Sequence, residues 1–229
     1  TRGGDDRLIV NAVLGGIGFA VDALIPLSAA MTSIVAAYHE WGLLSQLETT
    51  HAVNFALSFV LVSLASYFFH RASHRWPWLW RLHRIHHSDV SLDVTTGFRH
   101  HPLERFAALG WFTAAAIGLG LDPAAVILYG ALALLLAVPQ HANLALGSRA
   151  EKALRWLLVT PGLHHVHHSA DQAQTDSNYG DVLSIWDRVF NTLRTPTLEE
   201  RRGMRIGLGD SHDRVANELG AQLLSPFRK

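Results

Sequence analysis

The chain has 229 residues, enough for one sizeable domain, and 49% of them are apolar while only 17% are charged. Because an ordinary soluble domain is about 25% charged, this deficit indicates contact with lipid. Lysine and arginine balance aspartate and glutamate at 19 each and form no basic stripe, so nucleic acid is not an expected partner. The absence of cysteine excludes disulfides, thiolate metal ligands and cysteine nucleophiles, which leaves the 15 histidines as the abundant metal donors.

Two apolar segments come first, at 8–38 and 52–69, and the first exceeds the ~20 residues that a helix needs to cross a bilayer. We expect them to form an antiparallel pair of membrane helices. Asp22 and Pro26 interrupt the first segment. Asp22 has two interpretations: it lies near the interface or caps a break in the helix, or it faces a substrate cavity, since carboxylates inside membrane helices are costly.

A third apolar region, at 106–138, is split by GLGLDP at 118–123. Its halves are short for straight spans, which predicts a helical hairpin that is tilted or re-entrant. Both ends of this hairpin and the end of the second helix then face one side of the membrane. Basic residues flank these ends, and since positively charged loops stay in the cytoplasm, this side is expected to be cytoplasmic. The residues are Arg71, Arg75, Arg81, Arg84, Arg99, Arg105, Arg149, Lys152 and Arg155.

The sequence therefore predicts an all-α fold, an integral membrane helical bundle with about four membrane helices arranged as two hairpins and a cytoplasmic helical cap. The loop at 39–50 has no lysine or arginine and is expected on the outer side. EKALRWLLVTP, at 151–161, is expected to form a helix along the membrane interface. We expect one membrane-embedded domain at 1–195 and a soluble C-terminal extension at 196–229.

Three short motifs contain most of the histidines. His70 and His74 are four residues apart, so on a helix their rings share one face. HRIHH at 83–87 and HHVHH at 164–168 share the spacing HxxHH. Its first and fourth residues face one side of a helix and can bind one metal, while the fifth reaches a second. The eight imidazoles exceed the four ligands of a structural zinc site and predict two metals. They are His70, His74, His83, His86, His87, His164, His167 and His168.

An all-imidazole site suits iron, copper, nickel or zinc, and affinity alone favours zinc or copper over ferrous iron. A redox-active site next to apolar segments favours two irons, with zinc as a possible substitute in isolated protein. A histidine pH switch is the rival interpretation, because imidazole titrates near neutrality. Such a switch does not require this regular spacing.

HRASH, HRIHH and HHVHH resemble the three histidine boxes of the fatty acid hydroxylase superfamily, integral membrane diiron enzymes that include sterol desaturases, fatty acid hydroxylases and alkylglycerol monooxygenase. The stretches at 80–104, 140–144 and 160–193 resemble its bacterial sterol desaturase-like branch. The resemblance covers residues 50–195 and implies a bacterial inner-membrane protein with cytoplasmic histidine boxes. It assigns the eight histidines as iron ligands and adds a ninth, His141, from PQHANL.

The resemblance also bears on residues around the boxes. His101 occupies a motif position, where it binds a metal or packs against Glu104, and Asn143 would orient a ligand or a bound water. His165 is expected to be a neighbour of the ligands. His39, His51, His100 and His212 have no motif support. The polar residues expected to hydrogen-bond the outer ring nitrogens are Asp93, Glu104, Asp171, Asp176, Asn178 and Asp187.

The resemblance implies O2-dependent hydroxylation, or desaturation, of a C–H bond in a membrane lipid such as a sterol, carotenoid or fatty acyl chain. The chain has no glycine-rich dinucleotide fingerprint, flavin motif or haem-attachment sequence, so we expect electrons from a ferredoxin or cytochrome-type carrier and its reductase. The lipid would enter laterally along aromatic residues, which also fit an interfacial aromatic belt. These residues are Phe69, Trp76, Trp78 and Trp80.

The alternative from another class is a membrane metal-binding or metal-transport protein that uses the histidines for zinc or nickel. That interpretation predicts ligands inside the membrane spans, whereas these histidines follow the apolar segments. Zinc-dependent hydrolysis is a third interpretation. It is weakened because the sequence has no HExxH motif and no thiolate or obvious carboxylate ligand.

Overall fold

The computed structural model describes residues 2–24, 28–209 and 215–228, and regular structure in these ranges is helical apart from two isolated β-bridges. Pro26 and His212 lie outside the described residues. The α-helices are α1 (Arg2–Leu24), α2 (Ala29–Tyr38), α3 (His51–Arg75), α4 (Pro77–His87), α5 (Pro102–Leu119), α6 (Pro123–His141), α7 (Ser148–Leu154), α8 (Pro161–His167), α9 (Gln172–Thr175), α10 (Ile185–Val189), α11 (Leu198–Gly203) and α12 (Leu219–Leu224). The predicted all-α class is confirmed for this part of the chain.

Two helices, α3 and α6, are long and apolar enough to cross a bilayer by length and composition. At 1.5 Å per residue, their 25 and 19 residues extend about 37 and 28 Å, close to the ~30 Å of a bilayer's hydrocarbon core. Only 28% and 22% of their most apolar windows are buried inside the chain. The core helix of a soluble protein would be mostly covered, so the exposed apolar surface favours membrane association.

The helices α2, α3, α5 and α6 form a bundle in which α2 and α3 each pack against both α5 and α6. A tight turn joins α5 to α6: Gly120, in the left-handed conformation, ends α5, and the Asp122 side chain caps α6. The predicted helical hairpin is therefore present, with longer helices than the apolar halves indicate, since α5 begins at Pro102 and α6 continues to His141. Along their length, α5 and α6 contact α2 and α3 far more than they contact each other.

The α5–α6 turn lies at the opposite end of the bundle from the histidine motifs. Leu43, in the loop before α3, donates its backbone N–H to the Gly118 carbonyl at 3.1 Å. The Asp122 N–H, at the start of α6, donates to Ser58 Oγ, near the start of α3, at 2.8 Å. The C-terminal ends of α3 and α6 and the beginning of α5 therefore point to the same side of the bundle, as predicted.

Gly42 packs directly on this turn, and we expect Gly42→Ala to destabilise the fold. Its φ is 93°, and an added Cβ would lie 2.1 Å from the Gly120 nitrogen, which is backbone and cannot rotate away. The strained backbone alone costs about 1–3 kcal/mol, so thermal unfolding in detergent should begin roughly 5–10 °C lower. Gly118→Ala is the matched control, because its Cβ meets nothing within 4 Å. Equal unfolding temperatures for the two variants would contradict this prediction.

The first apolar run departs from the prediction, because the structure has two helices, α1 and α2, in place of one membrane helix. The first half of α1 belongs to the cap: Arg7 donates to Asp89 at 2.8 Å, and Val10 and Leu14 are buried against Ile85 of α4. The bundle helix from this run is α2, and its ten residues are fewer than the ~20 needed to cross a bilayer. The prediction of four full spans is therefore not confirmed.

The described C-terminal residues, 215–228, pack against α4 and the loop that follows it. Ser88 donates to the Gln222 side chain at 3.1 Å, and Arg84 donates to the Ser225 carbonyl at 2.6 Å. Gln222 and Ser225 are buried. This part of the predicted soluble extension thus contributes to the cap, while the domain boundary at residue 195 stays a prediction.

The predicted interfacial helix at 151–161 is only partly present. α7 ends at Leu154, and Leu158 then pairs with Leu183 in a β-bridge. Trp156 is 70% exposed in the segment between them, and Arg188 lies over its ring at 4.5 Å. A tryptophan exposed beside an arginine is typical of a membrane–water interface, and the interfacial position of this segment stays a prediction.

Candidate metal centre

The histidines reach one region of the cap because four helices end or begin there. α3 continues past its apolar part to Arg75 and so carries His70 and His74 beyond the bundle. α4 begins at Pro77, which suits a first helical position because its missing N–H would have no helical partner. α6 ends at His141, and Thr160 caps α8, which carries the HHVHH motif as far as His167, with His168 as its C-cap. All nine predicted ligands are at least nine-tenths buried.

The first histidine group contains five residues from three helices. Their rings lie close together: the His70 and His167 centroids are 4.5 Å apart, and those of His74 and His87 are 4.7 Å apart. The Nε2 atoms of His83 and His87 are 3.2 Å apart. One nitrogen of each residue lies within 4.8 Å of one nitrogen of every other member. The members are His70, His74, His83, His87 and His167.

The second group contains His86, His141, His164 and His168, and their Nε2 atoms converge. His141 Nε2 lies 3.2 Å from His86 Nε2 and 2.9 Å from His164 Nε2, which is itself 3.1 Å from His168 Nε2. Two imidazoles bound to one ion at about 2.0–2.1 Å have nitrogens roughly 2.8–3.4 Å apart in tetrahedral or octahedral geometry. The spacing of these nitrogens therefore fits one ion.

The two HxxHH motifs exchange ligands between the groups. α4 contributes His83 and His87 to the first group and His86 to the second, whereas α8 contributes His164 and His168 to the second and His167 to the first. The residues that share a group are thus four apart, and not three apart as predicted. At 3.6 residues per turn, positions i and i+4 differ by about 40° around the helix, while i+3 lies about 60° to the other side. Each helix can therefore face two ions at once.

Outer hydrogen bonds set the direction in which several ring nitrogens point. His70 Nδ1 lies 2.9 Å from the Tyr179 carbonyl, and His167 Nδ1 lies 2.8 Å from the Ser177 carbonyl. His83 Nδ1 contacts the Glu104 carboxylate at 2.7 Å. Because these oxygens only accept, each Nδ1 carries the proton, and the neutral ring directs the lone pair of Nε2 into its group. His141 has the same arrangement with the Ala137 carbonyl, at 2.8 Å.

The donor atoms of both groups fit metal binding. The Nε2 atoms of His70, His74 and His167 are buried, with no hydrogen-bond partner among the described residues. Burial lowers the pKa of the imidazoles on α4 and α8 and at the end of α8, which favours the neutral, ligand-competent form. Nine imidazoles without a thiolate suit iron, copper, nickel or zinc.

A cavity of about 440 Å³ connects both groups to the surface of the bundle. His70 and His83 line it from the first group, and His86, His141 and His164 from the second. Its apolar walls come from α3, α5 and α6, where α5 and α6 make few contacts with each other. The residues of this wall are Phe69, Ala108, Phe112, Gly130, Ala133, Leu134 and Ala137.

Comparison with known proteins agrees with this site. The family model for fatty acid hydroxylase matches residues 55–192, which is more than half of the chain and includes all nine histidines. The chain belongs to the fatty acid hydroxylase family. No solved structure matches it.

Three curated members of the family are similar to this chain. Alkylglycerol monooxygenase of Danio rerio is 31% identical over 137 residues, which are 60% of this chain and 30% of that protein. Ornithine lipid hydroxylase OlsE of Rhizobium tropici is 30% identical over 181 residues, 78% of this chain and 51% of that protein. Fatty acid hydroxylase vlmA of Lecanicillium sp is 28% identical over 171 residues, 68% and 47%. The chain matches only about half, or less, of the length of these relatives.

Some of the polar residues expected to hydrogen-bond the outer ring nitrogens do lie next to a histidine ring. Glu104 contacts His83, and Asp176 Oδ1 lies 3.4 Å from His74 Nδ1. Asp187 supports His70 through the backbone. It accepts from the N–H groups of Tyr179 and Gly180, and the Tyr179 carbonyl in this loop contacts His70 Nδ1.

The remaining polar candidates have other partners. Asp93 pairs with Arg7, Asp171 caps α9, and the Asn178 side chain bridges the Leu163 and Arg194 backbones. Asn143 is exposed beyond the end of α6. They contribute to the loops and the cap.

The other histidines lie outside the two groups. His101 caps α5 through Nδ1, and its Nε2 lies 3.2 Å from the Leu223 carbonyl. Both ring nitrogens therefore face backbone groups, and neither faces a histidine group or the Glu104 side chain. His165 is a neighbour, as predicted, with Nε2 3.0 Å from the Ala142 carbonyl. His39 stacks on Trp41, and His51 lies 3.3 Å from Asp122, far from the cap.

Sequence reasoning missed two residues of the site. His100 stacks on His86 with ring centroids 4.5 Å apart, and its Nδ1 lies 3.2 Å from Glu104. Asp181 lies 3.2 Å from His70 Nδ1 and lines the cavity. A carboxylate directly after the Tyr179 and Gly180 pair was the available signal for Asp181, whereas His100 has no motif that separates it from His101.

The four aromatic residues singled out from the sequence had two interpretations, a path for the lipid or an interfacial aromatic belt. Phe69 lines the cavity, and Trp80 packs on His74 with ring centroids 5.1 Å apart. Trp76 and Trp78 are 46% and 56% exposed. The first pair belongs to the site, and the second pair fits an interfacial belt.

Proposed function

We propose that this protein is a membrane-bound monooxygenase that uses two iron ions and O2 to hydroxylate a C–H bond of a lipid. The observation that carries the proposal is the cavity, because it leads from the apolar gap between α5 and α6 to both histidine groups. An apolar chain entering this gap would reach both histidine groups. The named activities of the three relatives favour hydroxylation over desaturation and lipid over other substrates.

The protein side of this chemistry is positioning. The five-histidine group would hold one ion and the four-histidine group the other, and bound iron would supply the O2-dependent oxidation of an unactivated C–H bond. Glu104 and the carbonyls of Tyr179 and Ser177 keep the ligand rings in the required tautomer. Phe69 and Phe112 shape the apolar wall, which aligns the lipid chain and excludes water. Zinc could replace iron on the same imidazoles in isolated protein.

We further propose that α3 and α6 cross a bacterial inner membrane, with the histidine cap on the cytoplasmic side. The arginines at the cap support this orientation through the positive-inside rule. Electrons would then come from a ferredoxin or cytochrome-type carrier and its reductase, which would dock on this basic face. A metal transporter using zinc or nickel remains the rival function, and the experiment below separates the two.

The test is expression of the chain in a bacterium supplied with 18O2, followed by untargeted lipid analysis and measurement of metal in the purified protein. We expect about two irons per chain and a new lipid that has gained one 18O atom. His167→Ala should abolish the product. In vitro, turnover should require an added carrier and reductase. Zinc or nickel in the protein, altered metal uptake and no oxygenated lipid would overturn the proposal in favour of transport.

A further inference from the structure

An ion pair lies at the open end of the cavity. Asp22 of α1 and Arg105 of the first turn of α5 both line the cavity, and Arg105 Nη1 lies 3.6 Å from Asp22 Oδ2. This distance is too long for a hydrogen bond. Their side chains are 53% and 30% exposed. The second interpretation of Asp22, that it faces a cavity, thus agrees with its position, and the two charges are only loosely joined.

Arg105 packs closely against α1. Its guanidinium lies against Gly18 of α1, where a Cβ would come within 3.2 Å of Nε and 3.5 Å of Nη2. Arg105 Nε is buried and has no hydrogen-bond partner in the described part of the chain. The guanidinium belongs to a residue that lines the cavity, and its planar shape is suited to bidentate contact with a phosphate or carboxylate.

The cavity has a polar rim and an apolar wall on the way to the histidines. Phe19 and Leu134, which line the cavity, are 55% and 54% exposed, whereas the histidines of the two groups are buried. Because Arg105 lies one turn into α5 on the histidine side of the bundle, the charges lie where the polar surface of a bilayer would meet the protein. The apolar wall at Gly130 and Leu134 precedes His141 on α6 and therefore lies further from the cap.

We infer that Asp22 and Arg105 bind the head group of a zwitterionic lipid whose chain occupies the gap between α5 and α6. Arg105 would bind the anionic oxygens, and Asp22 would accept from the ammonium group. A loosely joined pair with both charges facing a cavity can exchange its own contact for two contacts with a ligand of opposite polarity, whereas a neutral lipid would leave it unchanged. This inference rests on the proposed function, since it names the substrate class of the same cavity.

The test is photocrosslinking of the protein in nanodiscs made of uncharged lipid without phosphatidylcholine. Four lipid probes are compared, and all four carry the same diazirine-bearing acyl chain. The probes are phosphatidylethanolamine, an acylated amino acid with free ammonium and carboxylate groups, phosphatidic acid and diacylglycerol. Crosslinks are counted on the peptides of α5 and α6. We expect at least one zwitterionic probe to label about fivefold more than diacylglycerol, and the better of the two identifies a phosphate or a carboxylate as the anion.

Two variants of the pair should respond differently. Arg105→Gln should reduce labelling by the zwitterionic probes and by phosphatidic acid to the diacylglycerol level. Asp22→Asn should reduce labelling by the zwitterionic probes but increase labelling by phosphatidic acid, because it removes a competing negative charge. Arg81→Gln, at an exposed arginine of α4 that does not line the cavity, is the control and should label as wild type.

Equal labelling by all four probes, or an Asp22→Asn variant that keeps the wild-type preference, would overturn the inference. If Arg105→Gln fails to fold, the opposite responses expected from Asp22→Asn still decide the matter. Crosslinking requires neither metal, O2 nor electrons. A negative result here together with lipid hydroxylation would therefore remove the head-group site alone, and the reverse result would remove the oxygenase proposal alone.

Discussion

Replacing His164 by alanine is expected to remove at least one metal ion per chain and to lower lipid hydroxylation more than about 100-fold. Its Nε2 lies between those of His141 and His168, at 2.9 and 3.1 Å, so it is central to the four-histidine group. Loss of one of four ligands leaves a site that binds weakly, and no neighbouring side chain replaces the nitrogen. Metal content by mass spectrometry and product formation in the same preparation measure the effect.

His165→Ala is the matched control for this variant. His165 is the next residue on α8, but it belongs to neither histidine group and its Nε2 faces the Ala142 carbonyl. We expect this variant to keep both ions and most of the activity. If the two variants lost metal equally, the division of α8 into ligands and neighbours would be incorrect.

Replacing Glu104 by glutamine is expected to weaken metal binding or activity by roughly 10–100-fold. The carboxylate contacts Nδ1 of both His83, at 2.7 Å, and His100, at 3.2 Å. Burial alone would raise the pKa of the Glu104 carboxyl, but these two imidazoles outweigh it and hold that pKa well below its usual value. The negative charge therefore fixes the His83 tautomer, and a neutral amide would fix it less strongly. Competition with a chelator measures the change in affinity directly.

Asp171→Asn provides the comparison for this second variant. Asp171 lies near the third histidine motif, but its side chain only caps α9 by accepting from the Ala173 N–H. Asparagine is an equally good capping residue, so metal affinity should stay within about twofold of wild type. An effect as large as that of Glu104→Gln would mean that removal of any nearby carboxylate weakens the site.

The histidine motifs could be found from sequence because their spacing is local. Ligands placed four residues apart on one helix meet whatever the rest of the chain does, as His70 and His74 do at 5.4 Å between ring centroids. Which motif serves which group could not be found in this way. The answer depends on how α4 and α8 face each other, and that angle is set by packing between segments about 80 residues apart in the chain.

The bundle was harder to predict than the site, because an apolar run looks the same whether it meets lipid or protein. Val10 and Leu14 read as part of a membrane helix, yet they are buried against Ile85 of the cap. The one polar residue between them, Asn11, was the available signal: it donates to Asp89 at 3.0 Å and accepts from Arg99 at 2.8 Å. A run that also carries partners for buried charges is better interpreted as part of a protein core.

The exchange of ligands between α4 and α8 has a consequence for biosynthesis. In the proposed enzyme, neither ion would have its full set of donors until residue 168 has been synthesised, because His167 completes one group and His164 and His168 complete the other. Metal loading would therefore follow synthesis of all three histidine motifs. Binding of the first ion would hold α4 and α8 together, so we expect the two ions to load cooperatively.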